Sequence, residues 1–259
     1  MKLVTWNVNS LKVRMPRTLE LLAQLQPDVV CLQETKTEAA AFPTEELADA
    51  GYDAVHHSAG RWAGVAILAS RALGGLTEAT SGLPGELRGD EARWVEATVG
   101  GLRVASVYVP NGREVGSPTY EEKLAFLDAI AIRVSQLRQD DVSLFVAGDF
   151  NVAPADVDVY DPVAFAGSTH VQPEERARVE EILAAGGLVD AYRRLDPDGV
   201  HFTWWDYRQG HFHRKMGLRI DLALLSEDLA TTLSACGIAR DFRKGTKPSD
   251  HAPLVVELT

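Results

Sequence analysis

The stretch VEATVGGLRVASVYV, residues 95–109, decides the class of fold. Two runs rich in β-branched residues, 95–99 and 104–109, lie on either side of the pair Gly100-Gly101. Two glycines between two such runs are typical of a tight turn, so the stretch predicts an antiparallel hairpin. We therefore expect a sheet that is not purely parallel.

Helical patterns alternate with strand patterns along the rest of the chain, which predicts a mixed α/β fold. The clearest helical pattern covers residues 119–138, and Ser117-Pro118-Thr119 with Glu122 predicts its N-terminal cap. Two shorter helices are predicted at residues 19–25 and 174–185. The other predicted strands are residues 3–6, 29–32, 65–69, 144–147, 220–225 and 254–258.

Composition predicts one domain covering residues 1–259. The chain is 46% hydrophobic and has no Ser/Gly linker or low-complexity stretch. Cys31 and Cys236 lie in apolar surroundings without zinc-site spacing, which predicts reduced cysteines. The first residues lack a signal-peptide pattern and no apolar run reaches membrane-spanning length, so we expect a cytoplasmic protein.

The charge balance argues against loose attraction to a polyanion. The formal net charge is −11, from 26 basic and 37 acidic residues. From His201 onward, however, basic residues roughly balance the acidic ones. This part of the chain is compatible with a local basic surface, although a solvated mixed-charge face is the commoner explanation of such counts.

Polar residues at strand ends carry the chemical signal. Asn7 and Asn9 follow the first strand at a spacing of two, so both amides lie on one side if the chain stays extended; a turn is the alternative. Glu34 ends the second strand, and Asp149 and Asn151 follow residues 144–147 in the same manner. A carboxylate at such a position is costly unless it is paired or binds a cation.

The last polar residues of this set come near the C-terminus. Asp221 lies in an apolar strand, and an ion pair with Arg219 does not explain it because each group still needs more partners. In extended chain, Asp250 and His251 point apart, so one can face a metal and the other the substrate. With no nucleophilic Ser or Cys motif, the set suits hydrolysis assisted by Mg²⁺ or Mn²⁺.

Nearly the whole chain resembles the exonuclease III-type apurinic/apyrimidinic (AP) endonucleases of the endonuclease/exonuclease/phosphatase superfamily. The motifs that carry the resemblance are WNVNSL (6–11), LQETK (32–36), YVPNG (108–112), GDFN (148–151), DVDVYDP (156–162), WWDYR (204–208), GLRID (217–221) and SDHAP (249–253). Glu34 and Asp250-His251 recur across the superfamily and specify phosphodiester chemistry only. The resemblance implies a four-layer α/β sandwich of two packed mixed β-sheets flanked by helices.

The resemblance also implies roles for individual residues. Glu34 would be the principal Mg²⁺ ligand, assisted by Asn9 and Asp250 directly or through water. Asn7 and Asn151 would hydrogen-bond the scissile phosphate or the attacking water.

The catalytic roles follow in the same way. Tyr108 would meet a phosphate oxygen, its hydroxyl acidified by the cation. His251, oriented by Asp221, would donate to the phosphoryl oxygen. Asp149 is the preferred general base, and His251 is its rival for that role.

Substrate contacts are assigned to Asn111, Arg113, Trp204 and Leu218, the last two walling the pocket for a base-free sugar. Leu218 stands where some relatives carry Trp, which leaves open the balance between abasic-site cleavage and exonuclease action. Further DNA-backbone contacts are expected from Lys12, Arg61 and Arg208, although ordinary surface charge explains them equally well. The remaining histidines, among them His56, His57, His170 and His201, are assigned no role.

The predicted activity is therefore Mg²⁺-dependent DNA repair, with Mn²⁺ able to substitute. The enzyme would cleave the backbone 5′ to abasic sites, remove 3′ blocking groups and degrade duplex DNA in the 3′→5′ direction, as a monomer. A phosphatase of the same superfamily acting on a small phosphoester or phospholipid is one alternative. A non-catalytic DNA-binding protein is another, and the intact set of polar residues argues against it.

Overall fold

The structure, a computed structural model, describes residues 1–139 and 142–259. Its centre is formed by two six-stranded sheets packed face to face. The first sheet contains β1 (Lys2–Asn7), β2 (Val29–Gln33), β3 (Tyr52–His57), β4 (Val65–Ser70), β11 (Leu233–Ile238) and β12 (Leu254–Leu258). The second contains β5 (Leu76–Ser81), β6 (Trp94–Val99), β7 (Leu102–Tyr108), β8 (Leu144–Asp149), β9 (Leu188–Asp190) and β10 (Asp221–Ser226).

Both sheets are mixed. Their strand orders are β11-β12-β1-β2-β4-β3 and β5-β6-β7-β8-β10-β9. Within each sheet one central pair is parallel, β1 with β2 and β7 with β8. The predicted hairpin is confirmed: Val99 pairs with Leu102, and the two turn residues Gly100 and Gly101 have φ of 55° and 84°, which suits glycine in a two-residue turn.

Helices cover the outer faces of the two sheets. Those that do so are α1 (Leu11–Leu25), α2 (Thr44–Asp49), α3 (Pro118–Gln139) and α5 (Pro173–Gly186). Helix α4 (Pro162–Phe165) is short, and α6 (Ala191–Leu195) and α7 (Glu227–Ala230) contribute Ala191, Tyr192 and Ala230 to the core between the sheets. Apolar residues of α1 and α2 pack on the first sheet, while those of α3 and α5 pack on the second. The resulting order of layers, helix, sheet, sheet and helix, confirms the predicted four-layer sandwich.

Two helix starts differ from the prediction. The Ser117 hydroxyl accepts a hydrogen bond from the Tyr120 N–H at 3.2 Å, so Ser117 caps α3 and Pro118 occupies its first turn. Thr119 was predicted as the cap, but its hydroxyl donates to the Gly112 carbonyl instead. Helix α1 begins at Leu11 rather than at residue 19, because Pro16 lies on an exposed face and is tolerated there.

Eight strands were predicted, and all eight are found. The four strands that were missed, β3, β5, β9 and β11, form the two edges of each sheet. Edge strands bury less surface, and all but the first residue of β5 are exposed. Their apolar alternation is correspondingly weak.

Cys31 and Cys236 are both free, and Cys31 is buried, as predicted. Within residues 1–139 and 142–259, no helix has the length and apolar character needed to span a membrane.

Candidate active site

The polar residues predicted from strand ends meet where the two sheets come together. Asn7 ends β1 and Asp149 ends β8, while Asp221 begins β10 directly opposite Asp149. Tyr108 ends β7 and also pairs with Asp149. Glu34 follows β2 with φ 51°. The sequence places one polar group at each strand end, and the topology brings all five ends to one edge of the sandwich.

Asn7 connects the two sheets across this edge. Its side-chain nitrogen donates to the Glu34 carboxylate at 2.8 Å and to the Asp149 carboxylate at 2.9 Å. The Asn7 side-chain oxygen accepts the Asn9 backbone N–H at 3.0 Å. Asn7 is completely buried. It therefore fixes the position of one carboxylate from each sheet, and its hydrogen bond to the scissile phosphate or the attacking water stays a prediction.

His251 lies between two carboxylates of the second sheet. Its Nδ1 is 2.8 Å from Asp221 Oδ2, and its Nε2 is 3.7 Å from Asp149 Oδ2. Burial alone would lower the pKa of His251, but Asp221 and Asp149 together raise it to about 10. The imidazole is therefore a cation at neutral pH. The second oxygen of Asp221, Oδ1, is buried and has no hydrogen-bond partner among the described residues.

The surroundings of Asp149, in contrast to those of His251, favour the neutral form of the group. Its pKa is raised to about 7, chiefly because burial penalises the charged form; His251 lowers the pKa, while Asp221 and Glu34 raise it. The Asn151 backbone N–H donates to Asp149 Oδ1 at 2.9 Å. A carboxylate that is held in place and titrates near neutral pH suits a general base.

A second group of residues surrounds the Glu34 side of the site. Asp250 accepts hydrogen bonds from Asn9 at 2.9 Å and from the Trp204 indole at 3.0 Å. Lys36 Nζ lies 2.6 Å from Glu34 Oε2 and donates to the Asn9 side-chain oxygen at 2.7 Å. Burial raises the pKa of Asp250, but His251 and the hydrogen bonds from Asn9 and Trp204 lower it by more. The net pKa is therefore lowered, and the group is charged. Lys36 lies in the LQETK motif, but no role was predicted for it.

Two overlapping sets of side chains could hold a metal ion. Glu34, Asp149 and His251 each offer a ligand atom, and these atoms lie within 4.8 Å of one another. The predicted set of Glu34, Asn9 and Asp250 shares only Glu34 with this cluster. The carboxylate and amide oxygens of these two sets fit a hard divalent cation.

Tyr108 and the two asparagines line the opposite wall. Asn151 donates to the Val109 carbonyl at 3.0 Å, and Asn111 donates to the Asn151 side-chain oxygen at 3.3 Å. Burial and the Glu34 carboxylate raise the pKa of the Tyr108 hydroxyl well above its ordinary value. Arg93 lowers this pKa but does not offset the increase, so the predicted acidification of Tyr108 requires a bound cation.

These walls enclose a cavity of about 170 Å³. The side chains that line it are Glu34, Tyr108, Asn111, Asp149, Asn151, His170, Trp204, Ile220, Asp250 and His251. Leu218, predicted to wall the pocket, is buried behind Trp204 and packs against Val159 and Ile220. Ile220 takes its place at the cavity surface.

His170 also lines the cavity, although it was assigned no role from the sequence. Its Nδ1 lies 2.5 Å from the Asn151 carbonyl, and its Nε2 lies 3.5 Å from the Asn111 amide nitrogen. Burial and the nearby Lys123 ammonium lower the pKa of His170 to about 4, so the ring is neutral. His170 is in a loop and follows no strand, so its sequence context gives no signal of its position.

The basic residues predicted to contact DNA are less closely gathered. Arg113 is exposed and lines a groove of about 650 Å³ that also includes Glu34 and Tyr108. Arg208 is exposed and paired with Asp206, and Arg61 lies over the Trp62 ring. Lys12 is exposed on α1. Of these residues, only Arg113 lines a groove continuous with the candidate site.

Comparison with known proteins agrees with this geometry. Residues 4–251 match the model of the Endonuclease/Exonuclease/phosphatase family. The chain is 33% identical to exodeoxyribonuclease III of Haemophilus influenzae over 99% of both chains.

Among solved structures, the chain is similar to a 3′ phosphatase from Neisseria bound to a product DNA hairpin. That match has a TM-score of 0.96 and 38% identity, covering 100% of this chain and 99% of the other. An AP endonuclease from Archaeoglobus fulgidus matches with a TM-score of 0.94 and 32% identity over the same shares. The chain therefore belongs to the endonuclease/exonuclease/phosphatase family, and within it to the hydrolytic nucleases of the exodeoxyribonuclease III type.

Proposed function

We propose that the protein is a Mg²⁺-dependent phosphodiesterase of DNA repair, with Mn²⁺ able to substitute. It would cleave the backbone 5′ to abasic sites, remove 3′ blocking groups and act as a 3′→5′ exonuclease on double-stranded DNA. The observation that carries the proposal is the placement of a general base and a proton donor in one cluster: His251 Nε2 lies 3.7 Å from Asp149 Oδ2, and ligand atoms of both residues lie within 4.8 Å of one from Glu34. Hydrolysis of a phosphodiester needs both functions at one phosphorus atom.

We assign His251 and Asp149 different roles in proton transfer. The Asp221 and Asp149 carboxylates raise the pKa of His251, so we assign this residue as a proton donor and not as the general base or a metal ligand. Asp221 holds the ring through Nδ1, which leaves the Nε2 proton to donate to a phosphoryl oxygen. Asp149, held by Asn7 and the Asn151 N–H, would take the proton from the attacking water.

The same reasoning assigns the metal ligands. With His251 as the proton donor, Glu34 would be the principal ligand, assisted directly or through water by Asp250 and Asn9, which hydrogen-bond each other. A divalent ion bound there would neutralise phosphate charge and the charge that develops on the leaving oxygen. Carboxylate and amide oxygens favour Mg²⁺ or Mn²⁺ over Zn²⁺.

The experiment uses purified protein and two duplexes, one with a synthetic abasic site and one with a 3′-phosphate at a nick. We expect both to be processed with Mg²⁺ and neither with excess EDTA. A small phosphoester and a phospholipid serve as rival substrates. Absence of metal-dependent cleavage of either duplex would sink the proposal.

A second candidate is an enzyme confined to 3′ ends. Two observations favour it: the His170 ring occupies one side of a small cavity, and the 38% identical relative is named a 3′ phosphatase. A base-free sugar inside a strand needs more room there than a terminal phosphate does. The ratio of the rates on the two duplexes decides between the candidates, and release of phosphate from the 3′-phosphate duplex without incision of the abasic duplex selects the second.

We further propose that residues 1–259 act as one domain and as a monomer. The site combines Asn7 near one end of the chain with His251 near the other, and β1 pairs with β12. A site built wholly from one chain needs no second copy. The free cysteines support a reducing, cytoplasmic location.

A further inference from the structure

Lys123 is an ammonium group buried directly behind the site. It projects from α3 and has no solvent exposure. Its Nζ donates to the Asn151 carbonyl at 2.7 Å, to the Asn111 carbonyl at 3.3 Å and to the Thr169 hydroxyl at 3.1 Å. It also pairs with the Glu175 carboxylate. Two of these partners are the backbones of residues whose amide side chains line the cavity.

Glu175, equally buried, extends the network to a third loop. Its Oε1 accepts from the Thr169 hydroxyl at 2.9 Å and from the His170 N–H at 3.1 Å. Its Oε2 accepts the Gln172 N–H at 2.9 Å, which caps the start of α5. The pair thus reaches the loops that carry all three residues of one cavity wall, Asn111, Asn151 and His170.

The local geometry leaves little freedom behind this wall. A β-carbon at Gly112 would lie 2.9 Å from Lys123 Cδ and 3.0 Å from the Thr169 hydroxyl. Asn151 and His170 have φ of 52° and 81°, conformations that side-chain-bearing residues keep only when their surroundings hold them. Asn151, Asn111 and His170 contact one another, so a shift of one carbonyl displaces the others.

We propose that Lys123 and Glu175 are a positioning pair that fixes the Asn111, Asn151 and His170 wall against the reacting phosphate. The inference rests on the proposed function, since it assigns the pair to the same cavity. Two buried apolar residues could fill the space, often without loss of stability, so the charges need a further reason to be there. The hydrogen bonds to two site-residue carbonyls supply that reason.

The chain offers a matched control in Glu96. This carboxylate is also buried and paired with arginines, Arg103 and Arg133. It lies in the middle of β6, and within residues 1–139 and 142–259 its hydrogen bonds come from Thr80, Trp94, Arg103 and Arg133, none of which lines the cavity. A purely structural role for Lys123 and Glu175 predicts that both pairs respond alike to mutation.

The test compares the double variant Lys123→Met/Glu175→Gln, which removes both charges, with Glu96→Gln. Urea unfolding and steady-state kinetics on the 3′-phosphate duplex are measured for each. We expect the double variant to fold and to keep its KM for DNA, while kcat falls by about 10- to 100-fold because the wall is misplaced. Glu96→Gln should lose stability and keep kcat.

Wild-type kcat in the folded double variant would overturn the inference, as would an equal loss of kcat in Glu96→Gln. If the double variant does not fold, Glu175→Gln alone, which keeps an acceptor for Lys123, is judged by the same split between KM and kcat. A wild-type protein that cuts neither duplex contradicts the proposed function instead, so the two failures are distinguishable.

Discussion

Two clusters of buried acids lie close together along the second sheet, and they differ in how completely they are paired. In the first, here the Arg219 cluster, the completely buried Arg219 donates to Asp158 at 2.5 and 3.2 Å and to Asp190 at 2.8 Å. Arg193 also pairs with Asp158. The two acids therefore face two guanidinium groups, and the charges balance.

The second, the His251 cluster, consists of Asp149, Asp221 and His251, and its charges do not balance. One imidazolium faces two carboxylates, with Glu34 nearby, and one Asp221 oxygen lacks a hydrogen-bond partner among the described residues. A buried network that is fully paired has the character of a structural element, whereas one left short of positive charge is suited to binding a cation. Mutations should therefore affect stability in the first cluster and activity in the second.

The largest expected effect is on turnover. Asp149→Asn removes the general base and should lower kcat on the 3′-phosphate duplex by about 10²- to 10⁴-fold. The free energy of unfolding should stay equal or rise, because a buried carboxylate with a raised pKa is lost. Asp53→Asn, on the half-buried edge strand β3, is the control and should keep full activity. Near-wild-type turnover of Asp149→Asn would eliminate the base assignment.

The Arg219 cluster should respond in the opposite way. Arg219→Met leaves Asp158 and Asp190 buried without their shared partner, so the free energy of unfolding should fall by about 3–5 kcal/mol. The folded fraction should retain its kcat. Urea unfolding measures the loss, and Arg71→Met, which breaks the exposed pair with Asp53, should cost only about 0–1 kcal/mol. Equal losses for the two arginines would contradict the comparison.

Metal binding at the acid-rich site should stabilise the folded protein. Mg²⁺ at about 100 times its Kd should raise the free energy of unfolding by about 2.7 kcal/mol, because the ion binds the folded state. Glu34→Gln should abolish this increase, while Glu45→Gln on exposed α2 should keep it. Thermal unfolding with Mg²⁺ and with EDTA measures the difference. An unchanged Mg²⁺ effect in Glu34→Gln would move the metal away from the proposed ligands.

The same contrast explains what the sequence could predict. The eight inner strands were predicted because burial on both faces produces long apolar runs, whereas the edge strands β3, β5, β9 and β11 lack such runs. Asp149, Asp221 and His251 were found because each is polar where an apolar strand ends or begins. Such a signal is local and survives without knowledge of contacts.

His170, Lys36 and the pair Lys123–Glu175 escaped prediction for a physical reason. Their importance comes from partners far away in sequence, as with Lys123 and Glu175, which lie on different helices. Arg219 was correctly judged not to explain Asp221, but its true partners, Asp158 and Asp190, could not be read from spacing. For Asn7, the sequence predicted a place in the site, while its role as a bridge between sheets required the fold.

The smallest expected effect is a change in the pH dependence of stability at His170. The pKa of His170 is lowered to about 4 from an ordinary 6.5 by burial and Lys123, so the unfolded chain binds a proton that the folded protein resists. Stability contributed by neutral His170 is present above pH 6.5 and is lost as the pH falls toward 4. Because the ring is only partly buried, the loss should be about 1–2 kcal/mol. Urea unfolding measures the free energy of unfolding at pH 7 and at pH 4. Between these values the His170→Asn variant should lose less stability than the wild-type protein. An equal loss in the two proteins would show that the cavity leaves His170 free to ionise.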